Sequence, residues 1–570
     1  MRRFTAAIAT LGVAALLAGC TPNIPRIPDW APDPSTGILE LPDVLEAVEA
    51  EPDLFQPILK IAPSEQGLAD EFEARLDEGH ATYAVAAVLA SWFRNGDTKT
   101  AQERTERMLE RWDIRGKGQR ASYGFAYKIN GNALDPGWWS GMSDWTFPLL
   151  LTALAQETGS DEYAGLADEL IAHARKSVVD GGSIWYENDE CWISEYAWHG
   201  MSYEDESFVL NGHQYALAAM GIIAASTGDD ELADLFVKCS ISTVEKLPEY
   251  VDGNWFAYML HERTIDPPHY VVFEISLFES LARLIGDRRY LDAIEERQSA
   301  IAGGYPISGT SDAGNSRLIF TQVAGPHPYL RDLYQVELEC TDGSATEVYV
   351  LPSHPPTLEE SFLDVQTELD LSATTCDIWS HEQGADRTLV APEQAVQAAT
   401  LPQRVDFGYS VQSDSNLQWN EEDSTFAISK LEPDDPKNDG TYRTNQARIG
   451  LVLAEGISLA SDDGWPPQFA VQLTASTSVV SRVEISDGQK ACLRNYPRVV
   501  GEADNLLLLS LPGFSDCDID EIQTITLLLG RSTLEADDLT ISDIDVYTFD
   551  GPAALRTHLS QHENLQIPGI

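Results

Sequence analysis

Basic residues are scarce in this chain of 570 residues: 37 Lys and Arg stand against 91 Asp and Glu, a net charge of −54. So acidic a surface repels phosphate backbones and anionic lipid headgroups, which argues against nucleic acid as a partner. It also repels a polyanionic ligand at low salt. The balance fits a halophilic setting, where screening shortens to ~3 Å at 1 M salt. Metal-binding spacings are lacking too. There is no C-x-x-C and no His pair is read at helical spacing, so nothing reads as a zinc site, and no metal or cofactor is implied.

Long apolar runs are absent after the first twenty residues. The one at the start, Phe4–Ala18, follows Arg2 and Arg3 and ends in Leu17-Ala18-Gly19-Cys20. It is too short for a comfortable membrane span. Small residues before a cysteine are the form of a lipoprotein signal, whose cleavage leaves Cys20 as a lipidated N-terminus. The expected location is the cell envelope, lipid-anchored and extracytoplasmic.

Cysteines are few. Of seven, Cys20 is assigned to lipid, leaving Cys191, Cys239, Cys340, Cys376, Cys492 and Cys517. Six cysteines in an exported chain permit three disulfides in about 15 connectivities. The simplest pairs neighbours in sequence: Cys191–Cys239, Cys340–Cys376 and Cys492–Cys517.

What is present is a helical repeat. Apolar helical periods end at Gly96, Gly159, Gly228 and Gly286, each followed by Asp or Ser and a further helical period. A glycine there can take the left-handed C-terminal position, and the Asp or Ser can cap the next helix. The unit is an αα-hairpin plus a long loop, recurring roughly every 60 residues. Such units predict an (α/α) toroid with its loops at the mouth of a central cleft. The loops are aromatic. That at 113–141 carries Tyr123, Phe125, Tyr127, Trp138 and Trp139; that at 180–205 carries Trp192 and Trp198 around Glu195-Tyr196 and is expected to enter a helix at about Glu206; that at 247–268 carries Tyr250, Trp255, Tyr258, His261 and Arg263. Indole faces suit the C–H faces of sugars, and a carboxylate beside a phenol can move protons.

The expected fold is multidomain α + β. A signal peptide (1–20) and a Pro-rich linker (21–42) precede the toroid (43–304). A β-rich connecting region follows (305–402), with a helical piece near Pro392–Ala399. Residues 403–570 read as a β-sandwich of jelly-roll kind. Trp419, Tyr442 and Trp465 are its candidate sugar platforms.

W-I-S-E-Y-A at 192–197, followed by V-L-N-G-H-Q-Y-A-L at 209–217, resembles the glucuronyl C5-epimerase family, whose catalytic domain carries a Glu-Glu-Tyr-Pro loop, then Val-Leu-Asn-Gly and a helix. W-W-S-G-M, Trp138 to Met142, is similar to the family's Trp-x-Ser-Gly/Ala-Met turn. Y-M-L-H-E from Tyr258 sits where the family has Tyr-Asp-Leu-Arg-His, and Tyr270 where it has a Tyr opening the last helix pair. The resemblance implies an acidic polysaccharide as substrate and proton abstraction and return at C5 of a uronate. Glu195, Tyr196, Tyr258 and Tyr270 would be catalytic, with the phenols suited to proton transfer where nearby cations lower their pKa. Trp139, Met142, Trp192, Trp198, Asn211, His261 and Arg263 would bind substrate, His261 or Arg263 supplying positive charge where the family has Arg. Gly212 would let the Glu195-Tyr196 loop approach its helix closely. The sequence departs from the family at Ser194, Ala197, His261 and Val271. Two other outcomes stay open: loss of a C4 substituent after the same abstraction, as in a lyase, and polysaccharide binding without chemistry. Nothing points to an oligomeric state.

Overall fold

The computed structural model describes residues 38–60, 68–116, 120–129, 132–187, 190–252, 255–261, 264–266, 268–302, 307–312, 315–321, 335–351, 362–381, 387–411, 417–420, 424–428, 447–459, 468–477, 479–493, 498–500, 503–509, 519–531, 539–562 and 565–567. Cys20, the stretch read as a signal, most of the stretch read as a linker, Arg263, Tyr442, Trp465 and Cys517 lie outside these residues.

Helices α1 (Val44–Ala50), α2 (Pro52–Lys60) and α3 (Leu68–Glu78) lead into four hairpins. These are α4 (Ala81–Asn95) with α5 (Thr98–Arg111), α6 (Gly141–Thr158) with α7 (Asp161–Ala174), α8 (Leu210–Thr227) with α9 (Asp230–Lys246), and α10 (Pro268–Ile285) with α11 (Arg288–Ala302). The four hairpin glycines have φ of 66°, 66°, 66° and 70°. The left-handed region costs glycine no Cβ clash, so the chain reverses there. Asp97, Ser160 and Asp229 then cap α5, α7 and α9 by accepting backbone N–H groups.

The first helix of each hairpin is the inner one. Helices α6 and α8 are buried over nearly their whole length, as expected of helices apolar on every side. Helices α4, α6, α8 and α10 pack each on the next, and α10 packs on α2, which packs on α4. The inner helices thus close a ring. Arg297 of α11 and Glu274 of α10 form a buried ion pair at 2.7 Å that ties the last hairpin together.

Short strands occupy the long connections: β1 (Tyr127–Ile129) with β2 (Asn132–Leu134), β3 (Ile184–Trp185) with β4 (Trp192–Ile193), and β5 (Val251–Asp252), β6 (Trp255–Met259) and β7 (Thr264–Ile265). Bridges lace these connections together, Trp139 to Ala197 and Val209 to Met259. The helix after the second connection begins at Leu210, not near Glu206. Tyr203–Asp205 form a separate 3-10 turn, and Phe208 breaks the helical path with φ of 52°.

A sheet of seven strands among the described residues follows: β8 (Ile307–Asp312), β9 (Asn315–Thr321), β10 (Gln335–Thr341), β11 (Thr346–Leu351), β12 (Phe362–Thr367), β13 (Thr375–His381) and β14 (Thr388–Ala398), in the order β11-β10-β13-β14-β8-β9-β12. The segment read as helical near Pro392–Ala399 is therefore strand. It pairs with β13 through an irregular register and runs parallel to β8, so sheet pairing overrides the local helical pattern. Strand β14 also packs on α11.

The last part is a two-sheet sandwich. One sheet orders Leu417–Asn420, Thr425–Ile428, Leu539–Phe549, Gln468–Ala475 and Ala503–Leu509; the other orders Phe407–Val411, Ala447–Ser458, Glu521–Arg531, Val479–Ser486 and Ala491–Leu493. Ile449, Leu451, Leu473, Ile525, Leu527 and Ile541 bury in the core between them. Trp419 packs on Tyr409 and Phe426 against that core. A final helix, α12 (Pro552–Ser560), sits against β8 and β9. Disulfides join Cys191 to Cys239 and Cys340 to Cys376, and Cys492 is disulfide-bonded. Among the described residues no helix is long and apolar enough to cross a membrane.

Candidate functional site

Three connections and the starts of the inner helices build one aromatic, acidic cluster. Glu195 and Tyr196 follow β4, Tyr258 lies on β6, and Tyr270 is in the first turn of α10. Gly141 N donates to Ser194 O at 2.8 Å, and Trp139 and Ala197 exchange backbone hydrogen bonds at 2.9 Å. These bonds seat the Glu195 loop on the start of α6. The Glu195 side chain lies directly over Gly212 of α8, where a Cβ would come within 2.0 Å of Glu195 Oε2. Only glycine leaves that space, at a position inside a helix where alanine is otherwise preferred by ~1 kcal/mol.

The phenols stack. Tyr258 and Tyr270 are 5.3 Å apart at 20°, and Tyr196 and Tyr127 are 5.3 Å apart at 5°. Tyr127 also stacks on Trp138, which stacks on Tyr123, and Tyr123 shares a 2.5 Å hydrogen bond with Thr82 Oγ1. Hydrogen-bonding contacts link Tyr127 to Tyr196 and Tyr196 to Tyr258. Tyr127 is 40% exposed and so marks the solvent side of the cluster.

Burial pushes the Glu195 carboxyl up to about 7; hydrogen bonding to Tyr196 pulls it down and the charge of Glu206 pushes it further up. Its Oε2 is buried with no hydrogen-bond partner. Burial and then Glu195 hold the phenols of Tyr196, Tyr258 and Tyr270 above the usual tyrosine range. Among the described residues no cation is among the groups acting on these phenols, and Arg263 lies outside them. Desolvation and a like charge win. At neutral pH the phenols are proton donors, and Glu195 is the group that can take a proton.

Residues 115–299 match the D-glucuronyl C5-epimerase C-terminus family. Glu195, Tyr196, Tyr258 and Tyr270 all fall inside this epimerase-family segment, and the resemblance read from the sequence holds for it. No curated protein matches the chain. Among solved structures, an unsaturated glucuronyl hydrolase from Bacillus sp. GL1, described as responsible for the degradation of glycosaminoglycan, is similar over 41% of this chain and 66% of its own, at 17% identity and a TM-score of 0.29. A UGL structure with dGlcA-Glc-Rha-Glc is similar over 42% of this chain and 67% of its own, at 16% identity and a TM-score of 0.30. A variant of a family 29 carbohydrate binding module is similar over 27% of this chain and 94% of its own, at 12% identity and a TM-score of 0.16. This chain thus spans about two thirds of the hydrolases' length, and likenesses at these scores carry no functional argument.

Within and around the epimerase-family segment, other expected site residues fare differently. Trp139 and Trp192 are each 1% exposed. Trp139 lies under the Arg120 guanidinium and donates to Gly182 O; Trp192 stacks on His213 at 3.8 Å. Their faces are already covered, so neither offers a platform to sugar. Met142 and Trp198 are partly buried against the core, and Asn211 is buried in the first turn of α8. His261 is exposed and lies near Asp205.

Sequence reasoning missed Tyr83, which lies near Tyr270 and packs on His80, and His80 itself, held neutral by burial, which takes its pKa down to about 4. A signal existed. Tyr83, Gly212 and Tyr270 are each the third residue of an inner helix, so aligning the hairpins on their helix starts brings them into register. His558 of α12 and His562, two residues past its end, stand four apart with rings 4.6 Å apart, a His pair at helical spacing that the sequence reading overlooked. No group of three or more His, Cys, Asp or Glu able to hold a metal occurs among the described residues.

Proposed function

We propose that this protein acts on a uronic-acid-containing polysaccharide and epimerises glucuronate-type residues at C5. The observation that carries the reading is the convergence of Glu195, Tyr196, Tyr258 and Tyr270, from three separate stretches of chain, into one partly buried cluster inside the epimerase-family segment. The Glu195 carboxylate takes the proton from C5. A phenol of the Tyr196–Tyr258–Tyr270 set returns one to the opposite face, and the proton on Glu195 then restores the phenol. Phenolic O–H groups donate to the uronate carboxyl as it becomes an enediolate, the step at which preorganised donors contribute most. The closed ring of inner helices is read as an (α/α) toroid with this cluster at its mouth, and the C-terminal sandwich as a module that holds the glycan.

The test is product analysis on a panel of uronans in heavy water at high salt. Deuterium at C5 without chain cleavage supports epimerisation. New unsaturated ends identify a lyase, and binding with neither product identifies a binding protein. The chain is also read as a lipoprotein, from the Leu17-Ala18-Gly19-Cys20 box. Cys20→Ser should move it from the membrane fraction to the soluble one, and unchanged membrane association would refute the anchor.

A further inference from the structure

Glu206 is a second buried carboxyl, 1% exposed, that the mechanism above does not use. Its Oε2 accepts Trp185 Nε1 at 2.6 Å and its Oε1 accepts Phe208 N at 3.0 Å. Ser207 N makes a further hydrogen-bonding contact to it, and the Ser194 hydroxyl, which donates to Tyr196 O at 2.9 Å, lies beside it. Phe208 has φ of 52°, a region that bulky residues rarely enter unless their surroundings hold them there. Its other backbone group is held too, since Phe208 O accepts the Tyr250 hydroxyl at 2.5 Å. Two residues later Leu210 opens α8, which places Gly212 under Glu195. On the opposite side, Ser194 directly precedes Glu195. Glu206 therefore holds the turn that sets the helix beneath Glu195 and lies beside Ser194, the residue before it.

We propose that Glu206 is a positioning residue: its hydrogen bonds fix the Phe208 turn that opens α8 and so seat Glu195 over Gly212, with Glu206 standing as a second carboxyl beside it. The proposal rests on the reading of Glu195 as the proton acceptor. A carboxylate at its ordinary pKa is a weak base for a C–H bond, and a fixed like charge nearby makes its anion hold a proton more tightly. The groups acting on one another here are Tyr123 and Tyr196 from the connections, Tyr258 of β6 and Tyr270 of α10 around Glu195, with Tyr203 and Tyr250 around Glu206. All six are phenols held protonated at neutral pH. The charge acting on Glu195 within this set is that of Glu206. Burial raises the Glu206 carboxyl, and the Trp185, Phe208 and Ser207 donors act against that rise.

The test reads titration, not turnover. In the full chain labelled with 13C at the glutamate side-chain carboxyl, the Glu195 signal is assigned by its loss in Glu195→Gln. Glu206→Gln should lower the Glu195 midpoint by at least about 1 pH unit, and Glu206→Asp should keep most of the wild-type value. A midpoint unmoved in Glu206→Gln, or moved equally in Glu206→Asp, would overturn the proposal. Should Glu206→Gln fail to fold, the wild-type curve decides. The Glu195 signal must show a second inflection at the Glu206 midpoint, and a single-step curve overturns the coupling. Loss of the epimerase reading would appear separately, as absent isotope exchange beside an intact titration shift.

Discussion

Gly212 decides whether Glu195 can occupy its place. On an open helix Gly→Ala is favourable by ~1 kcal/mol, but here the added methyl would lie 2.0 Å from Glu195 Oε2 and 2.4 Å from its carboxyl carbon. Gly212→Ala should leave the circular dichroism spectrum unchanged and lower C5 proton exchange by about 100-fold, the scale of one acid–base contribution. Wild-type exchange in that variant would mean that the seat over Gly212 is irrelevant. At this scale the sequence was partly legible. Glu195-Tyr196, Tyr258 and Tyr270 stand in ordered motifs, and Gly212 stands in V-L-N-G. Burial was not legible. Trp139 and Trp192 look as available as any loop tryptophan until Arg120 and His213 are seen covering them. Nor does the run Glu204-Asp205-Glu206 reveal that its last member is the buried one, because that depends on Trp185 and Ser194 arriving from another stretch.

The hairpins were legible because each is written locally, as an apolar period, a glycine and a capping Asp or Ser. Structures that depend on partners were not. Strand β14 carries a local pattern that also fits a helix, and only β13 and β8 make it a strand. Helix α8 starts later than its sequence pattern because the Phe208 turn is imposed by Glu206 and Tyr250. The disulfide between Cys191 and Cys239, 48 residues apart, ties the start of the Glu195 loop to α9. Replacing both with Ala should cost about 2–4 kcal/mol in denaturant unfolding. A loss indistinguishable from zero would show that packing alone holds the loop.

Across the whole molecule, a net charge of −54 sets the conditions under which any site works. Several of the few arginines are spent on carboxylates, as in Arg107–Glu73, Arg115–Glu106 and Arg317–Asp364, and most acids have no such partner available to them. Screening relieves the remaining repulsion, so the melting temperature should hold or rise as KCl is taken to molar concentration; a steady fall would reject the halophilic reading. Salt should likewise admit a polyanionic glycan to the cluster. The most direct measurement is therefore C5 deuterium incorporation into a uronan at high salt, in wild type and in Glu195→Gln, followed across pH. A base must be unprotonated to act, so exchange should be low in acid and rise through about pH 7, where Glu195 ionises. The account predicts exchange without chain cleavage in wild type and a loss of about 100-fold or more in Glu195→Gln. No exchange into any uronan, or equal exchange in both proteins, would contradict it.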